Sequence, residues 1–147
     1  MPVEIVNRQR KIKVNPEIYR QPAESAIAAI KKAEGKTVTI AFVSDRKMRE
    51  LNNEFRGKDA TTDVLSFPNE TEEFDTFDTE NQNSLGDVVI SVEQAQKQAG
   101  ENNLSLDLEI KQLILHGILH LSGYDHEADA GEMNTLELEL RDKLGIQ

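Results

Sequence analysis

The amino-acid sequence predicts a small α/β domain of the α+β kind, with about four strands in a mixed sheet covered by about five helices. Three observations carry this. β-branched runs that alternate with period two are interleaved with stretches whose apolar residues recur at helical spacing. The segments are punctuated by helix-starting residues, Asn15-Pro16, Ser44, Ser91 and Ser105, and by stops at Gly35 and Gly57. Finally, 147 residues without repeat or linker suffice for one hydrophobic core, so 1–147 reads as a single domain.

The elements follow in order. Val3 to Val6 alternates and reads as a first strand. A helix is expected after Asn15, and Pro22 is expected to break or restart it, because the proline ring has no place in a helix interior. Ala23 to Ala33 is helix-forming, with Ala26, Ile27 and Ile30 on one face. Thr37 to Val43 is a β-branched strand with Val38, Ile40 and Phe42 on one side. Ser44 caps a helix in which Met48, Leu51 and Phe55 share a face. Asp63 to Phe67 is a short strand closed by Pro68. Residues 69–83 read as an acidic loop, since Glu70, Glu72, Glu73, Asp75, Asp78 and Glu80 crowd it with no basic residue between them. Gly86 to Ile90 is the last strand, and Ser91-Val-Glu-Gln94 is a capping box for a helix running to about Gly100.

A central helix starts near Ser105, with Asp107 and Glu109 favoured by the dipole in its first turn and Ile110, Leu113, Ile114 and Leu121 as its apolar stripe. Ala130 to Leu144 closes the chain as an amphipathic helix carrying Met133, Leu136, Leu138 and Leu140.

Composition narrows the function. The chain has no cysteine, which excludes disulfides and thiolate metal ligands. The N-terminus has an early acid and no apolar h-region, and no apolar run approaches membrane-span length. A soluble cytoplasmic protein without a membrane partner is the expectation. The net charge of −10 argues against generic nucleic-acid affinity, but it is unevenly spread. Residues 1–58 carry 13 basic and 7 acidic side chains, net +6, and residues 59–147 carry 4 and 20, net −16. An anionic ligand has to approach from the side built by the first half.

All three histidines fall in one segment, His116-Gly-Ile-Leu-His120-Leu-Ser-Gly123-Tyr-Asp-His126, with spacing HxxxHxxGxxH. Residues four apart share a helix face, so His116 and His120 reach one ion. Gly123 can take the positive φ that ends a helix and turns His126 back as a third ligand. Three protein ligands leave one position for water, the pattern of a catalytic rather than a structural zinc. Such an ion acidifies water and polarises a carbonyl or phosphoryl oxygen, so the reaction class is hydrolysis. Imidazole ligands also suit nickel, copper and iron. A metallopeptidase is one reading, because HExxHxxGxxH is the metzincin signature. Gly117, however, stands where that enzyme places its glutamate base.

With two further segments, Leu51-Asn-Asn-Glu-Phe-Arg-Gly-Lys-Asp59 running on to Thr62-Asp-Val-Leu-Ser-Phe-Pro68, and Leu85-Gly-Asp-Val-Val-Ile-Ser91, the histidine segment resembles the YbeY family of bacterial endoribonucleases. The resemblance covers most of the chain beyond the first forty residues, and the acidic stretch 70–80 is more negative than the family needs. It implies a zinc-dependent, single-strand-preferring endoribonuclease in the cytoplasm, acting in maturation of small-subunit ribosomal RNA and in ribosome quality control. Its partners would be single-stranded RNA, ribosomal RNA or ribosomal particles and ribosome-associated proteins, with no DNA expected.

By position, His116, His120 and His126 correspond to the family's zinc ligands, and Arg56 to its arginine facing the metal cleft. There the guanidinium would stabilise the transition state of phosphodiester attack. Sequence alone leaves Arg56 and Lys58 a second reading, as cations favoured at a helix C-terminus. Asp125 is a candidate base or ligand-orienting group. Ser66 and Asp87 are polar candidates whose plainer reading is capping or turn formation. A non-enzymatic ribosome-assembly factor with a structural metal is the third reading.

Overall fold

The computed structural model describes residues 3–68, 84–124 and 131–147. Among these, β1 (Val3–Asn7), β2 (Thr37–Val43), β3 (Val64–Pro68) and β4 (Ser84–Ser91) form one sheet in the order β1-β2-β4-β3. The first three in that order run parallel, and β3 lies antiparallel on the edge beside β4. The helices are α1 (Arg20–Ala29), α2 (Asp45–Arg56), α3 (Val92–Glu101), α4 (Leu106–Leu121) and α5 (Glu132–Leu144). This is the α+β mixed sheet with five helices that the patterning predicts.

Each face of the sheet has its own core. Val38, Ile40 and Phe42 of β2 and Val88 and Ile90 of β4 pack with α1, α4 and α5. The opposite face buries a smaller cluster, Val43, Met48, Leu65 and Val89, beneath α2. Helix α4 is the central one: Ile110, Ile114, Leu115, Ile118 and Leu119 are all at most 1% exposed, as expected of a helix apolar on more than one side. It lies very close to the sheet at Gly117. A Cβ there would stand 2.6 and 2.9 Å from the two methyls of Val88 and 3.3 Å from Ser66 Oγ. Val88 is fully buried and stiff at χ1, so only glycine permits this approach. The approach sets the flanking His116 beside β3.

Several local expectations are corrected. Of the two outcomes expected at Pro22, the restart is the one seen. The 3-10 turn Pro16–Tyr19 gives way to α1, and Pro22 is the third residue of α1, where the missing N–H has no intrahelical acceptor. The helix stops at Ala29 rather than Ala33, because Ile30 turns extended (φ −96°, ψ 112°) to bury its side chain, and a short 3-10 turn follows. The capping box is half formed. Ser91 Oγ accepts from Gln94 N–H, but the Gln94 amide donates to Asp45 and Ser91 N–H to the Asp63 carbonyl. Leu138 is 51% exposed and Phe55 60%, so neither lies on the inward face assigned to it, although Phe55 meets Phe67 edge to face. Asp107 and Glu109 do lie in the first turn of α4 as expected; Glu109 is buried there, and Asp107 accepts a hydrogen bond from Tyr19 Oη at 2.8 Å. The acidic loop 69–83, Asp125 and His126 lie outside the described residues. Among the described residues, no helix is long and apolar enough to cross a membrane.

Candidate metal centre

Helix α4 presents His116 and His120 one turn apart on the same face. Their Nε2 atoms lie 3.1 Å apart, with ring centroids separated by 4.7 Å and the rings inclined at 68°. Two imidazoles on a tetrahedral zinc, each at about 2.0–2.1 Å, hold their nitrogens about 3.3 Å apart. The pair is therefore spaced to share one ion. Beyond it, Gly123 takes φ +99°, and its N–H bonds to the His120 carbonyl while that of Tyr124 bonds to the Leu119 carbonyl. The glycine turn expected from the sequence is present. His126, the third expected ligand, lies outside the described residues, and among the described residues no three metal-binding side chains converge.

A residue the sequence reading missed completes the pair. Glu137, on α5 and 5% exposed, places Oε1 2.6 Å from His116 Nδ1, and its Oε2 accepts from Arg141 Nη2 at 3.3 Å. A carboxylate on Nδ1 selects the tautomer protonated there and leaves the Nε2 lone pair facing His120. The buried stripe of α5 reads Met133, Glu137, Leu140. A carboxylate in the middle of an apolar stripe is the signal by which sequence reasoning would have found it.

Arg56 is the last residue of α2, and its side chain lines a 270 Å³ cleft together with Ser66, His116 and His120. Both of its readings have a footing: it stands in the last turn of α2, where the helix dipole favours a cation, and on the wall of the cleft. The end of α2 is closed by Gly57 at φ +68°, whose N–H bonds to the Asn53 carbonyl, and by Lys58 N–H on the Asn52 carbonyl. The guanidinium itself forms no ion pair among the described residues. Ser66 also enters the cleft, with Oγ 3.5 Å from the Gly117 carbonyl. Lys58 does not line it. Asp87 alternates with Val88 on β4 and so points to the opposite face of the sheet, where burial and then the neighbouring Glu4 raise its carboxyl above the usual range. Lys32, from the basic first half, stacks its ammonium 4.3 Å from the Tyr124 ring centroid at the end of the histidine helix.

Fold and cleft together define a class: a small α+β protein in which a histidine pair, its orienting carboxylate and an exposed arginine meet at the edge of a mixed sheet. The family model described as Endoribonuclease YbeY matches residues 4–145, and the chain belongs to that family. The Endoribonuclease YbeY of Clostridioides difficile (strain 630) is 37% identical over 95% of this chain and 94% of its own length. That of Alkaliphilus metalliredigens (strain QYMF) is 38% identical over 99% and 98%. Among solved structures, the solution structure of a Thermotoga maritima protein superposes with TM-score 0.63 at 28% identity, covering 97% of this chain and 88% of that one.

Proposed function

We propose that this protein is a divalent-metal-dependent endoribonuclease that cuts single-stranded RNA, with ribosomal RNA or ribosomal particles as its substrate in the cytoplasm. The observation that carries the reading is the convergence of Arg56, His116 and His120 on one cleft. His116 and His120, with His126 as third ligand, would hold zinc or another imidazole-binding ion such as nickel. When bound, that ion supplies a Lewis acid for a phosphoryl oxygen and lowers the pKa of water.

The chain's own groups do the rest. Glu137 orients His116, and Arg56 offers planar N–H donors to the phosphoryl oxygens as charge accumulates on them. A cleft of 270 Å³ suits the backbone of one strand. Membership in the YbeY family supports the same activity. The peptidase reading loses ground at Gly117, because the position where such an enzyme carries its glutamate base is packed against Val88.

The test is incubation of purified, metal-analysed protein with labelled single-stranded RNA, with DNA of the same sequence and with a denatured protein. RNA alone should be cut, chelator should abolish cleavage and zinc should restore it. Cleavage of the denatured protein would instead establish a peptidase, and cleavage of nothing would return the chain to a ribosome-assembly role.

A further inference from the structure

A second and larger cavity, 560 Å³, lies on the other side of His116 from the Arg56 cleft, and His116 and Val64 line both. Its volume falls within the roughly 300–1,000 Å³ of small-molecule sites. Its walls carry hydrogen-bonding capacity that the protein does not use. Glu109 is 4% exposed, yet the only hydrogen bond to its carboxylate among the described residues is a long one, 3.4 Å, from Asn102 Nδ2 to Oε1. Oε2 has no partner there. Gln112, 8% exposed, donates to the Ile146 carbonyl at 2.7 Å, which leaves its own side-chain oxygen over. The Gln98 side-chain amide makes no hydrogen bond among the described residues. These groups open onto the cavity, and Arg141 Nε on the same wall is buried with no hydrogen-bond partner among the described residues, so the set suits a polar occupant.

The chemistry of the walls narrows the occupant. Acceptors outnumber donors: Glu109 Oε2, the second Asp63 oxygen and the Gln112 oxygen stand against two unpaired donors, the Gln98 amide and the buried Arg141 Nε. Arg141, the cavity's guanidinium, is engaged by Glu137 through Nη2, and the carboxylates of Glu109, Asp63 and Glu137 leave the lining net negative. Such a lining repels phosphate and matches a neutral molecule with N–H donors.

We propose that this cavity is a nucleobase pocket, holding a base beside the scissile phosphate and favouring bases with an exocyclic amino group over uracil. This rests on the RNA reading above and adds a division of labour to it. The phosphodiester lies on the Arg56 side of His116, and the base enters on the Glu109 side. Adenine, cytosine and guanine each bring an amino donor to the acceptors, whereas uracil offers one N–H and two carbonyl oxygens that would face oxygens. Gln98, able to donate and accept, serves the remaining edge of the base.

Neutral nucleosides test the pocket apart from catalysis. Adenosine, cytidine, guanosine and uridine are titrated into the full-length protein while the side-chain amide signals of Gln98 and Gln112 are followed by NMR. The three amino-bearing nucleosides should bind about tenfold more tightly than uridine, and Gln98→Leu and Glu109→Gln should each weaken them by about tenfold. Melting temperatures confirm that both variants are folded. Unmoved amide signals, or uridine binding as well as the others, would overturn the proposal. A second arm compares cleavage of single-stranded poly(A), poly(C) and poly(U): the wild type should prefer the first two, and Gln98→Leu should narrow the preference. Equal cutting of all three by both proteins overturns the pocket while leaving the nuclease standing. Failure to cut any RNA overturns the nuclease, and the nucleoside titration then decides the pocket alone.

Discussion

Two carboxylates, the half-buried Asp45 and the buried Glu137, tie this molecule together, and they do so to different ends. Asp45, at the start of α2, accepts from Thr61 Oγ1 and Ser91 Oγ on one oxygen, both at 2.7 Å, and from Gln94 Nε2 on the other at 2.9 Å. Burial pushes its carboxyl up, but the three donors, helped by Lys11, outweigh that and hold it below the usual range. Every group it gathers is used up in the gathering. Glu137 instead bonds an arginine and a histidine, and the histidine's other nitrogen faces the cleft. The comparison teaches that a carboxylate hub is structural when its partners end in it. It becomes functional when a partner passes the orientation on to an open site.

The sharpest break in that comparison is at the site itself. Arg56→Ala should lower turnover on RNA by about two to three orders of magnitude, with melting temperature and metal content nearly unchanged. Gly57 and Lys58, not Arg56, close its helix. Arg56→Lys should recover only part of the rate, since an ammonium lacks the planar two-pronged contact. An active but destabilised Arg56→Ala would return the residue to a helix-end role. Next in size, Glu137→Gln should weaken metal binding by about 10–100-fold, measured by competition with a chelating dye. Asp45→Asn should leave metal affinity where it was; equal losses in the two variants would erase the distinction.

Smaller effects test the packing under both hubs. Gly117→Ala should cost about 1–3 kcal/mol in denaturant unfolding, because the new methyl meets Val88 in a closed core. The smallest effect is a pH dependence. The Asp45 carboxyl lies below its unfolded value, so the stability it adds is present above the ordinary aspartate pKa of about 3.9 and is lost as pH falls through its lower folded value. Asp45→Asn should flatten that acid limb of the melting-temperature profile. An unchanged limb would mean that the three donors do not favour the charged form.

Local signals made much of this readable in the sequence. The bounds of β2, the Ser44 cap and the glycine stop after α2 depend on neighbours within a few residues, and all appear where expected. The facing of His116 and His120 follows from helical spacing alone. What was not readable depends on partners far along the chain. Glu137 lies 21 residues from His116, and Gly117 owes its closeness to the sheet to Val88 and Ser66. Leu138 and Phe55 were misplaced because α5 and α2 carry more apolar residues than they bury. Glu109 was read by its helix position, while the adjoining elements bury it beside a cavity.

The central claim is that α4 carries a metal centre. The chain holds only three histidines and no cysteine, so nothing of that kind competes for the ion. Elemental analysis of the protein purified without chelator, beside its His120→Ala variant, is the most direct measurement. The account predicts one equivalent of a divalent transition metal in the first and none in the second, with both folded by circular dichroism. A full equivalent retained by folded His120→Ala would contradict it.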